Sequence, residues 1–342
     1  MTLRGASARG AALLLGLLAP AGCWRAVTPE VSGVVDVAPP GAEAVRLTFL
    51  GVGGWIFQRG ADQVLAAPLF SNPSFVRTGL AGIRSDTAAV DAGMRRFDVS
   101  GAAAILVGHA HYDHLLDVPR VALRHAPRAA ILGSRVVRNT LGTWSGVAER
   151  VVEVDSLAAD VDHPGGWIPL TPTLRVLPLR SHHAAHFDGY ALYQGTTDRP
   201  LDEEPGSARE WLDGPTYAFL VDFLDGAGAV AFRVYYQDAV AAPPRGFAPA
   251  ALMAERPVDV AIFVPATFDQ VDWHPEAFVQ NLSPRWVLLG HWEDFFVPPS
   301  SPTRSIFLTD LDHFRSRLHR VFDGRSWLPE RGTEFRFPVG RP

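Results

Sequence analysis

The stretch GHAHYDHLLD, residues 108–117, places His109, His111, Asp113 and His114 within six positions, three of the 12 histidines in a chain of 342 residues. It follows directly on AAAILVG, residues 102–108, a continuous apolar run of the kind a buried strand gives. That junction constrains the fold more than any other feature of the chain. A packed core has no use for adjacent titratable rings, whereas open sheets carry their sites on the loops at the C-terminal ends of strands. His109 and His111 can converge on one ion from an extended turn, and Asp113 with His114 can reach a second. Neutral imidazole and carboxylate are ordinary ligands for zinc and similar divalent metals.

The rest of the chain supplies the sheets that such a junction needs. Strands are predicted over residues 45–51, 54–58, 62–70, 102–108, 128–133, 149–154, 173–179, 217–223, 229–237, 258–265 and 285–290, from alternation or short apolar runs bounded by turn residues. Helical spacing is clearest at Leu311, Phe314, Leu318 and Val321, with Thr309 predicted as N-cap and Asp312 three residues on. Asp117 is placed to cap a second helix over DVPRVALRHA. Many strands with interspersed helices predict an α/β or α+β layered fold. A hydrophobic fraction of 47% and a charged fraction of 20% suit a globular protein, and a net charge of −5 argues against a nucleic-acid partner.

The first 23 residues read as a targeting segment. Arg4 and Arg9 precede a short apolar run, AALLLGLLAP, too short to span a bilayer. The run ends at PAGC, where Cys23 is the only cysteine. This resembles a bacterial lipoprotein signal, which implies a lipidated Cys23 as the mature N-terminus and a membrane anchor; an ordinary secretory signal is the other reading. Either places the protein outside the cytoplasm, in the cell envelope. Residues 24–45, rich in Pro and Gly, read as a tether, and residues 46–342 as one domain.

Further candidate ligands follow later predicted strands: His182, His183 and His186 in SHHAAH, Asp238 in YYQDAV, and His291 in LLGHWEDFF. With the His-x-His-x-Asp-His run and the glycine-rich opening FLGVGGWIF, the pattern resembles the metallo-β-lactamase fold superfamily over roughly residues 45–325. The resemblance implies a four-layer αββα sandwich with a pair of divalent metal ions, usually zinc, at one sheet edge. It implies that His109, His111 and His183 hold one ion, with His182 as the fallback for the third position. Asp113, His114 and His291 would hold the other, and Asp238 would bridge. His186 is expected behind a ligand or facing the substrate, and Tyr236 beside the pocket. Two positions depart from the family pattern: Gln237 stands where a glycine usually precedes the bridging aspartate, and Ala67 where many members carry an aspartate.

The implied chemistry is hydrolysis of an ester, lactone, amide or phosphodiester by a metal-bridging hydroxide, with Asp113 orienting the water or passing a proton. The substrate would be a small molecule or lipid-like, met by the loops over residues 70–86 and 194–211. An iron-dependent redox enzyme of the same fold is one alternative, although the diiron branch generally carries a glutamate where this chain has Tyr112. A catalytically inactive metal-binding protein is the other.

Overall fold

A computed structural model describes residues 25–340; the predicted targeting segment and Cys23 lie outside the described residues. Side-chain alternation sets the layers. In β2 (Ala44–Gly51), Val45, Leu47 and Phe49 point into a core shared with the second sheet. In β3 (Gly54–Arg59), Trp55 and Phe57 do the same, while Ile56 between them faces the opposite side. β4 (Asp62–Ala66) repeats the pattern with Val64 and Ala66 inward and Leu65 outward. β5 (Ala104–Leu106) follows with Ala104 and Leu106 inward and Ile105 outward. Strands apolar on both faces must be covered on both, so the sheet is sandwiched.

The remaining strands are β1 (Val34–Asp36), β6 (Ala130–Gly133), β7 (Val151–Glu153), β8 (Ile168–Thr171), β9 (Leu174–Arg180), β10 (Tyr217–Leu224), β11 (Val230–Tyr236), β12 (Val260–Phe263), β13 (Trp286–Leu289), β14 (Arg325–Trp327) and β15 (Glu334–Pro338). One sheet runs β1-β15-β2-β3-β4-β5-β6-β7 and the other β14-β13-β12-β11-β10-β9-β8. Their facing sides form one apolar core, in which Val45, Phe57 and Leu106 join Val176, Phe219 and Val234. Helices cover the outer face of the first sheet through Val90, Met94, Val121 and Val137. On the second sheet, Phe278 of helix Glu276–Leu282 packs 6.3 Å from Tyr235 and 6.4 Å from Phe263, ring centroid to centroid. The result is the αββα sandwich that the resemblance implied. Among the described residues, no helix is long and apolar enough to cross a membrane.

Three local expectations are corrected. The segment read as a tether is not free over its described residues, 25–45: β1 pairs in parallel with β15, and the Val27 and Glu30 amides donate to the Thr303 and Leu328 carbonyls. The helix Leu311–Val321 is capped by Asp310 rather than Thr309, its carboxylate accepting from the His313 amide at 3.0 Å. Asp117 precedes helix Val118–Arg124 but makes no capping bond with its side chain. Its buried carboxylate instead accepts from the Phe70 and Ser71 amides (2.7 and 2.9 Å) and from the Ser71 and Ser85 hydroxyls (both 2.6 Å).

Candidate metal centre

β5, β9, β11 and β13 all end at one edge of the sandwich, and the loops that follow them carry His109 to His114, His183, Asp238 and His291. Backbone hydrogen bonds stitch the two sheets together there. The Tyr217 amide donates to the Gly108 carbonyl at 2.8 Å, the Ala110 amide to the Asp213 carbonyl at 3.0 Å, and the His291 amide to the Val52 carbonyl at 2.7 Å. Gly108 has to be glycine, because a Cβ there would run into the Asp238 side chain. His291 holds a left-handed φ of 49°, a conformation that costs energy outside glycine and collects at functional sites. A single helical turn, Tyr112–Leu115, begins after His111 and sets Asp113 and His114 side by side.

Three groups of ligand atoms result, the third formed by His109, His114 and Asp238. In the first, His109 Nε2 and His111 Nδ1 lie 3.1 Å apart, and His183 completes a set whose ligand atoms all fall within 4.8 Å of one another. The His183 Nδ1–H donates to the Ala184 carbonyl at 2.7 Å, which leaves its Nε2 lone pair free. In the second, His291 Nε2 lies 3.2 Å from both Asp113 Oδ2 and His114 Nε2. His182, the fallback, is exposed and belongs to none of the groups.

The electrostatics suit a cation. Burial pushes His111 and His183 well below the ordinary imidazole range, and neighbouring histidines push them further, so both rings are neutral. Burial alone would raise the Asp113 carboxyl, but the charge of His114 and hydrogen bonds from His114 and His291 outweigh it and hold the group well below the usual carboxylate range. Burial likewise acts to lower His114, yet Asp238 and Asp113 raise it to about 10. The same field that holds a proton there would hold a divalent ion. Ring nitrogens that face one another, His109 Nε2 with His111 Nδ1 and His291 Nε2 with His114 Nε2, beside the anionic Asp113 are the donor chemistry of a bound metal, and the residues fit one.

Asp238 meets two of the histidine rings. Its Oδ2 accepts from His109 Nδ1 at 2.7 Å and its Oδ1 from His114 Nδ1 at 3.0 Å. Its carboxylate thus spans the two rings on their Nδ1 sides, within a possible ligand group of its own, and fixes the tautomer that turns each Nε2 toward the other two groups. Tyr236 is corrected. It is fully buried, with its hydroxyl 2.6 Å from Asp238 Oδ1 and 2.8 Å from the Gly53 carbonyl oxygen, so it supports the aspartate and does not line a substrate surface. The Gln237 side chain accepts from the Val264 amide at 3.2 Å and so ties the end of β11 to that of β12. Tyr112 is buried against Phe295, with ring centroids 6.3 Å apart, and belongs to none of the possible ligand groups.

His186 is half-buried and stacks on His183 at 4.7 Å with 19° between the ring planes. Burial pushes its ring down to about 4. Tyr193, which no motif singles out, meets His111 edge to face at 6.2 Å. Its only signal in the sequence is its place between SHHAAH and the predicted substrate loop.

No family model matches the chain, and no curated protein matches it. Solved structures do. Igni18, described as a novel metallo hydrolase from the hyperthermophilic archaeon Ignicoccus hospitalis KIN4/I, is 15% identical over 86% of this chain and 98% of its own, with a TM-score of 0.51. A possible metal-dependent hydrolase from Veillonella parvula DSM 2008 is 13% identical over 85% and 98%, with a TM-score of 0.50. YhfI from Bacillus subtilis, described as a metallo-β-lactamase fold protein, is 14% identical over 86% and 99%, with a TM-score of 0.47. The chain shares its fold with Igni18 and the Veillonella protein. At these identities the likeness is one of architecture. The histidine-rich edge comes from the chain's own residues.

Proposed function

We propose that the protein is a metal-dependent hydrolase with two divalent ions, zinc first among them, acting on an ester, lactone or phosphodiester. One observation carries this reading: two sets of ligand atoms, His109, His111 and His183 on one side and Asp113, His114 and His291 on the other, converge at the same sheet edge. Ions bound there would bring the pKa of water toward neutrality and polarise a carbonyl or phosphoryl oxygen. The protein contributes the rest. Asp113, anionic at neutral pH, would orient the attacking water and pass its proton on to the leaving-group oxygen as that bond breaks. Asp238 keeps His109 and His114 in register, so that their Nε2 atoms do not have to reorganise as charge develops. No serine or cysteine nucleophile is part of this scheme. We further place the protein in the cell envelope, anchored through Cys23, where a lipid-like substrate would be at hand.

The test is elemental analysis of the purified protein beside His111→Ala, followed by turnover assays on phosphodiesters, esters and lactones. Close to two zinc ions per chain, sharply reduced in the variant, with turnover abolished in Asp113→Asn, is the expected result. Iron with a visible chromophore would replace the hydrolase with a redox enzyme. A chain that takes up no metal after reloading would end the proposal.

A further inference from the structure

His183 and His186 are stacked neighbours whose rings are locked in opposite tautomers by the backbone. The Ala184 carbonyl can only accept, so His183 carries its proton on Nδ1 and presents a lone pair at Nε2. The Leu192 amide can only donate, and it donates to His186 Nδ1 at 3.0 Å. The neutral His186 ring must therefore carry its proton on Nε2. An Nε2–H cannot also ligate a metal, so His186 is a donor standing beside a ligand. Its position is set by the stack on His183 and by a centroid distance of 5.6 Å to His111. The His186 amide, bonded to the Tyr190 carbonyl at 2.8 Å, closes the turn that carries it. Among the described residues its Nε2 has no hydrogen-bond partner, and it is not one of the buried unpartnered atoms, so it is open to solvent.

Tyr193 approaches the same ligand from a second direction, edge to face on His111 with 90° between the planes. Its backbone is held at a left-handed φ of 53°, and its carbonyl accepts from the Asp213 amide at 3.0 Å. Such a conformation is strained outside glycine and persists where surrounding structure imposes it. The half-buried phenol has no hydrogen-bond partner among the described residues, and its oxygen too is absent from the buried unpartnered atoms. Two neutral donors on rings that both pack against His111 thus have no acceptor among the described residues.

We propose that His186 Nε2–H and the Tyr193 hydroxyl form a donor pair that binds an oxyanion, the carboxylate or phosphate group of a substrate or product, against the metal centre. This rests on the hydrolase reading for its place in catalysis but not for its test. Zinc-loaded wild type, His186→Phe, His186→Gln and Tyr193→Phe would be titrated with inorganic phosphate, with zinc content measured on each sample. His186→Phe and Tyr193→Phe should each weaken phosphate binding about tenfold at unchanged zinc content, and His186→Gln, which keeps a donor, should recover part of the loss. Unchanged phosphate affinity in both His186→Phe and Tyr193→Phe would overturn the pair. Loss of zinc in His186→Phe would do so too, by making His186 a ligand. Side-chain nitrogen NMR of the metal-free protein gives a second reading: a proton on Nε2 of His186 and on Nδ1 of His183 is expected, and the reverse is fatal. Phosphate binding that depends on both residues without any turnover would sink the hydrolase and leave the donor pair standing. Turnover with indifferent variants would do the opposite.

Discussion

Asp238 supports two imidazoles and is itself supported by a phenol, so its removal should reach the metal indirectly. Asp238→Asn keeps the shape but sets an amide N–H against an imidazole Nδ1–H. Zinc affinity is expected to fall about 10- to 100-fold with the fold intact, as measured by competition with a chelator; an unaltered affinity would show that the tautomers are fixed by something else. Tyr236→Phe should cost less, roughly 1–2 kcal/mol of stability in chemical denaturation, because it removes one buried hydroxyl from a carboxylate that keeps its other bonds. Residue type and the preceding strand mark His109, His111, Asp113, His114 and His291 as candidates in the sequence, whereas His183 stands out among the histidines of SHHAAH only through the family resemblance. The role of Asp238 was not legible, because bridging and supporting positions differ only in which ring nitrogen the carboxylate meets. Tyr193 was hidden for a related reason, since a lone tyrosine in a loop acquires meaning only when the fold brings it to His111.

At the scale of elements, the segment over residues 70–86 is fastened at both ends to a single carboxylate. Asp117 takes two amides and two hydroxyls from it, and burial pushes the carboxyl pKa up despite those bonds. Asp117→Ala should destabilise the protein by roughly 2–4 kcal/mol, because it strands these donors around an apolar gap. It should also open residues 71–85 to limited proteolysis; a variant that resists the protease like wild type would mean that the segment is held by packing alone. In the sequence, Asp117 before Val-Pro reads as a helix cap, and only the tertiary structure reveals the competing partners. The long central strands were visible through alternation. β1, β8, β14 and β15 were not: they are short, they lie at or near sheet edges, and several show no two-residue period over a span of three to five residues.

For the molecule as a whole, pH stability should bear the mark of His274. The ring is fully buried among Phe263, Phe278 and Phe314, donates from Nε2 to the Val264 carbonyl, and is pushed by burial down to about 4. An unfolded chain would protonate it near 6.5, so the stability tied to the neutral ring is present above that pH and drains away as pH falls toward 4. Between pH 7 and 5 the loss should be roughly 2 kcal/mol, read as the difference in denaturation slope between wild type and His274→Phe; equal slopes would contradict it. Removing residues 25–43 should also lower stability, since these residues pair with β15 and with the 303–305 segment, and a chain that melts like wild type would restore the tether reading. The layered architecture was legible from the order of strands, whereas the meeting of the two chain ends was not, because pairing between the first strand and the last leaves no local pattern. The insertion of β15 between β1 and β2 carries a temporal consequence. During synthesis, the first strand has no place to dock until the last has been made, so the edge of that sheet is sealed in the final act of folding. A polypeptide cut short just after residue 330 would keep every candidate ligand and still leave β1 without the one strand it pairs with.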